Sequence, residues 1–173
     1  MIDGAKAAVL VFVAAILEVS VFSDVKILGG VPDLLVVTIV AVALLRGSIT
    51  GACVGFFAGL VVDTATLETL GLSSLLLTLL GYWVGRYGET TGRDRTHAPF
   101  LSVAVVTFLY ALGGLALRFV LDESAPARLV LLDSLFQGIA LNLLLTWPVY
   151  AISRRILPLR ARAARTEGVP ALG

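Results

Sequence analysis

An all-α integral membrane protein, with six transmembrane helices in a compact bundle, follows from three features of this chain. First, 58% of its 173 residues are hydrophobic and only 14% are charged, with a mean hydropathy of +0.99. An ordinary water-soluble domain is far less apolar. Second, long intervals carry no charge: Ala98 to Leu117 and Ser134 to Ser153 hold 20 residues each, and Thr69 to Gly85 holds 17. At about 1.5 Å per helical residue these reach roughly 25 to 30 Å, enough to cross a hydrocarbon core. Third, Gly47, Gly51, Gly55 and Gly59 recur every four residues in an apolar stretch closed by Asp63. At helical spacing they share one face that another backbone can approach closely. In water each would weaken a helix by roughly 1 kcal/mol relative to alanine, so the pattern suits lipid, where small residues serve packing.

The first helix, about 6–22, has Lys6 before its apolar run and Glu18 within it. It lacks a small-residue cleavage site ahead of a soluble domain, so it reads as a retained helix and not a removed signal. The second, 32–46, opens on Pro32 and Asp33, where proline suits a first turn and an acid complements the helix dipole. Only 12 residues separate Asp33 from Arg46, and the third helix, 48–62, is also short. Both read as thin spans, with a re-entrant hairpin as the alternative. The fourth helix, 71–87, ends among Tyr82, Trp83 and Tyr87; the fifth, 99–118, ends at Arg118. The sixth, 133–153, ends near Trp147 and Tyr150 and is kinked by Pro148. Residues 1–157 thus form one transmembrane domain, and 158–173 form a basic, flexible tail.

Charge sets the orientation. With the amino terminus in the cytoplasm, Lys6, Arg46, Arg86, Arg93, Arg95, Arg154, Arg155, Arg160, Arg162 and Arg165 fall inside. Only Lys26, Arg118 and Arg128 fall outside, beside the acids Asp24, Asp63, Glu68, Asp122, Glu123 and Asp133. Cationic inner loops against acidic outer ones satisfy the positive-inside rule, which places both termini in the cytoplasm. The aromatic residues closing the fourth and sixth helices then lie at the inner surface, in the headgroup zone they favour. Arg93, Arg95, Arg154, Arg155, Arg160, Arg162 and Arg165 make a cytoplasmic basic surface suited to anionic lipid or to a cytosolic protein.

In this topology Glu18, Asp33, Asp63 and Arg118 share the outer half of the membrane, and they are the candidates for a polar site. An ionised carboxylate in hydrocarbon costs on the order of 3 kcal/mol even on insertion scales, so Glu18 demands a reason. Asp33 reads first as a helix cap, and Asp63 equally as an interfacial acid. Gln137 and Asn142 can hydrogen-bond neighbouring helices, whereas Thr38, Thr78, Thr107 and Thr146 can return their hydroxyls to their own backbone. The single histidine, His97, has no clustered second ligand, and the single cysteine, Cys53, sits among apolar residues. No catalytic motif, cofactor, metal or nucleic-acid partner is expected.

The succession VPDLLVVTIVAVALLRG, GACVGFFAGLVVD and GLSSLLLTLLGYWVGR resembles the MreD family of the bacterial rod-shape system. The matching positions are Pro32, Asp33, Gly47 after Arg46, Gly55, Gly59, Leu60, Asp63, Gly71, Gly81, Tyr82 and Gly85. The sixth helix, with Gln137, Asn142, Arg154 and Arg155, is similar too. The resemblance implies a non-enzymatic scaffold in the inner membrane that binds MreC. Through it the scaffold would meet MreB, RodA and a class B penicillin-binding protein of the peptidoglycan elongation machinery. Glu18 departs from the family's first helix, so no role for it is carried over. The glycine face of Gly47 to Gly59 is expected to receive a helix, from this chain or from the partner. The alternative is a vitamin-binding subunit of an energy-coupling-factor transporter, whose fold the MreD fold is similar to. Against it stand few aromatic or amide side chains near the outer ends.

Overall fold

A computed structural model describes residues 2–18, 20, 32–67, 69–91, 97–121 and 128–157. Among these residues there are six helices: α1 (Ile2–Leu17), α2 (Leu34–Arg46), α3 (Ser48–Thr66), α4 (Leu72–Thr91), α5 (Ala98–Val120) and α6 (Arg128–Ile156). The sequence-predicted Arg93, Arg95, Arg160, Arg162 and Arg165, the tail from 158 and the Arg118 side chain lie outside the described residues. Segments Ser48–Thr66, Ala98–Leu117 and Leu135–Ile156 are long and apolar enough to cross a membrane. Gly4–Leu17 and Leu34–Arg46 are apolar but shorter, and α4 carries Arg86 and Glu89 toward its carboxyl end.

The bundle is built around α2. Every residue from Leu35 to Leu45 is buried, and the helix touches each of the other five. Its sequence, LLVVTIVAVALLR, is apolar around the whole circumference, which suits a helix with neighbours on every side. The one polar residue inside that run, Thr38, donates its hydroxyl to the Leu34 carbonyl one turn back, at 2.8 Å. Toward the surroundings the polarity is reversed relative to a water-soluble protein: Phe57, Trp83, Leu144 and Trp147 are exposed while Asp63, Asn142 and Thr146 are buried. That arrangement places apolar side chains where lipid would meet them.

Between α2 and α3 the chain turns on one residue. Gly47 has φ 96° and ψ −179°, a conformation costly for any side chain, and its N–H donates to the Ala43 carbonyl at 2.8 Å. α3 then lies along α4 with backbones in contact. A Cβ placed on Gly51 would collide with the Gly81 carbonyl, one on Gly55 with the Leu77 carbonyl, and one on Gly59 with Ser74 Cα. The relation is mutual, because a Cβ on Gly81 would meet the Gly51 carbonyl, and one on Gly85 would meet Ser48. Two helices with these glycines interlock at the closest spacing that backbones allow, gaining dispersion contacts along the whole seam.

Several helix ends differ from those read off the sequence. α3 continues beyond the predicted end at 62, to Thr66, with Asp63 turned toward the start of α4 and held inside the helix pair. It stops at Leu67, whose φ of 54° is left-handed. α4 runs past the predicted 87 because Glu89 still has a partner, the start of α3.

Candidate functional site

A helix that begins inside a bundle must find partners for its first four N–H groups. At the start of α2 all four are satisfied. Glu18, which follows directly on α1, accepts at Oε2 from the N–H groups of Leu34 (2.7 Å) and Leu35 (3.3 Å). Asp33, the N-cap, accepts at Oδ1 from the Val36 N–H at 2.9 Å, and its own carbonyl accepts from Val37 at 3.2 Å. The Asp33 N–H, one residue ahead of the helix, donates to Asn142 Oδ1 of α6 at 2.7 Å. Asn142 in turn donates from Nδ2 to Thr107 Oγ1 of α5 at 3.0 Å, and its carbonyl accepts from the Thr146 hydroxyl at 2.7 Å. Four elements therefore meet at one polar centre.

Its depth follows from helix geometry. At about 1.5 Å per residue, Glu18 lies roughly 18 Å along α1 from Lys6, Leu34 roughly 18 Å along α2 from Arg46, and Asn142 roughly 18 Å along α6 from Arg154. The three cations sit at one end of the bundle and the polar centre at a common height above them. Roughly 18 Å is a little more than half of a hydrocarbon core of about 30 Å. The amino end of α2, with the positive end of its dipole, therefore meets two carboxylates far from either end of the long helices. Electrostatically the carboxylates complement the dipole; chemically their described lone pairs are directed at backbone N–H groups.

Asp63, grouped with Glu18 and Asp33 by the sequence, lies elsewhere. Fully buried, it caps α4: Oδ2 accepts from Gly71 (2.8 Å) and Ser74 (3.4 Å), and Oδ1 from Ser73 (3.1 Å). At the other end of the same helix pair, Glu89 of α4 caps α3, accepting at Oε1 from the Ser48 N–H (2.8 Å) and hydroxyl (3.1 Å). Arg86 lies 3.8 Å from Glu89 Oε2. Each helix of the pair thus supplies, from near its carboxyl end, the carboxylate that covers the other's amino end. Sequence reasoning missed Glu89 and Ser48. The available signal was a serine directly after the turn glycine, a preferred residue at helix starts, with an acid one glycine-spaced helix away.

Of the other candidates, Gly51, Gly55 and Gly59 face α4 of the same chain and Gly47 forms the α2–α3 turn. Arg154 and Arg155 are exposed in the last turn of α6. Among the described residues no three of His, Cys, Asp and Glu group in a way that could hold a metal ion. Residues 5–156 match the family described as rod shape-determining protein MreD. No curated protein and no solved structure matches the chain.

Proposed function

The chain belongs to the MreD family of rod shape-determining membrane proteins, and from that premise we propose that it is a scaffold that binds MreC and organises the peptidoglycan elongation machinery. In this reading all six helices are embedded in the bacterial inner membrane as one domain over 1–157. Both termini are cytoplasmic, and 158–173 form a basic tail. MreB, RodA and a class B penicillin-binding protein are reached through MreC or directly. The distribution of Lys6, Arg46, Arg154 and Arg155 at one end of the bundle supports that orientation.

The observation that carries the scaffold reading is how the buried polar groups are used. Glu18, Asp33, Asn142 and Asp63 each bond to the backbone or to a neighbouring helix, so these four polar side chains close the bundle. A vitamin pocket needs convergent polar groups free to meet a ligand, and an enzyme needs a base or nucleophile free to meet a substrate. The outward faces are apolar, suited to lipid and to the membrane helices of partners. The α3 glycine stripe is occupied by α4, so on this reading a partner docks elsewhere on the bundle.

The test is recovery of the tagged full-length chain from native membranes in mild detergent, followed by identification of its companions. MreC is the expected companion. Recovery of an ATPase transport module, or stabilisation of the purified chain by one member of a vitamin panel, would overturn the proposal.

A further inference from the structure

Two apolar grooves flank α1, each of about 570 Å³. One separates α1 from α3 and is lined by residues such as Phe12, Ile49, Cys53 and Phe57, with no charged side chain. The other separates α1 from α6, and it differs at one end. Lys6 of α1 lines it there, facing Ser153 and Ile156 of α6, with the exposed Arg154 and Arg155 adjacent in sequence. Ser153 is fully buried, and its hydroxyl has no hydrogen-bond partner among the described residues. Ser153 therefore presents no polar atom to the groove, and Lys6 is its polar end.

We infer that the groove between α1 and α6 binds an anionic phospholipid, one acyl chain lying between the helices and the phosphate held at Lys6. Length, polarity and charge each support this occupant. From Lys6 to Leu17 the groove runs roughly 17 Å at 1.5 Å per residue, close to half of a hydrocarbon core of about 30 Å, the depth of one leaflet. Its walls along that length are apolar, formed by Val13 and Leu17 against Val149 and Ile152. Lys6 can lay its methylene stem along the groove and extend its ammonium to the headgroup, and Arg154 and Arg155 raise the local positive potential. The α1–α3 groove has the same volume without a cation, and so takes lipid without headgroup selection. This inference requires only that the chain reside in a membrane, and it is independent of which protein partners it has.

Native mass spectrometry of the full-length chain in detergent tests it, with phosphatidylglycerol and phosphatidylcholine of identical acyl chains as probes. The wild type is expected to retain one phosphatidylglycerol under conditions that strip phosphatidylcholine. Lys6→Gln, at an exposed position, should weaken phosphatidylglycerol retention about fivefold and leave phosphatidylcholine unchanged. Val13→Trp, filling the groove, should abolish selective retention, while Ala8→Trp in the α1–α3 groove should not; thermal unfolding of each variant verifies that it is folded. Equal retention of the two lipids by the wild type overturns the inference. So does undiminished phosphatidylglycerol binding by Lys6→Gln, which would leave the groove to bulk lipid or to a partner helix.

Discussion

Replacing Glu18 separates a structural carboxylate from a reactive one. In Glu18→Leu the N–H groups of Leu34 and Leu35 lose their acceptor. Each orphaned donor costs about 1–3 kcal/mol where water cannot reach it, and loss of a negative charge at a helix amino end costs about 0.3–1 kcal/mol more. Relief from holding a carboxylate in an apolar setting offsets part of this, on the order of 3 kcal/mol by insertion scales. The central expectation is a destabilisation of about 2 kcal/mol. Glu18→Gln keeps an oxygen in the same place and gives up only the charge, so its cost should stay within about 1 kcal/mol. Unfolding of the purified chain by titration from mild detergent into dodecyl sulfate, followed through Trp83 and Trp147, measures both. In cells, Glu18→Gln should support rod shape as the wild type does. A Glu18→Leu protein as stable as wild type would refute the capping argument. A stable, folded Glu18→Gln protein that fails to support rod shape would show that the charge itself has a task beyond the cap.

Three further outcomes follow from the same geometry. Asn142→Leu removes the acceptor for the Asp33 N–H and the donor to Thr107, and should cost about 1–3 kcal/mol in the same titration. Gly55→Leu drives a side chain into the Leu77 carbonyl, whereas Gly4 has nothing within 4 Å of a new Cβ; the first should cost more than about 3 kcal/mol or prevent recovery of folded protein, and Gly4→Leu should be neutral. Asp63→Ala and Glu89→Ala should each cost about 0.5–2 kcal/mol as lost caps. Because their sites lie at opposite ends of the α3–α4 pair, the double variant should be additive within about 0.5 kcal/mol, which a mutant cycle checks.

Much of this architecture could be read from the residues. The run from Leu34 to Leu45 was legible as a short apolar helix, although its central position became visible only once five neighbours surrounded it. Glycines spaced by four on the third helix had counterparts at Gly81 and Gly85 on the fourth, and the two rows meet. Depth arithmetic put Glu18 and Asp33 on one level, and they do join at one helix end. It put Asp63 with them as well, because depth says nothing about lateral position, and Asp63 belongs to a different helix start. Glu89 was illegible for another reason. It stands among Arg86 and the charges of an inner loop, where an acid reads as solvated, and only the antiparallel register of α3 and α4 brings it to Ser48.

That register also constrains biogenesis. Asp63 is already made when Gly71 and Ser73 leave the ribosome, so α4 can start against a waiting carboxylate. Ser48 has no such advantage, because Glu89 is translated 41 positions later. Until then the beginning of α3 must stay hydrated or be shielded by the insertion machinery. The two segments are therefore completed as a couple, and a nascent chain halted between them would carry an unfinished helix at the membrane surface.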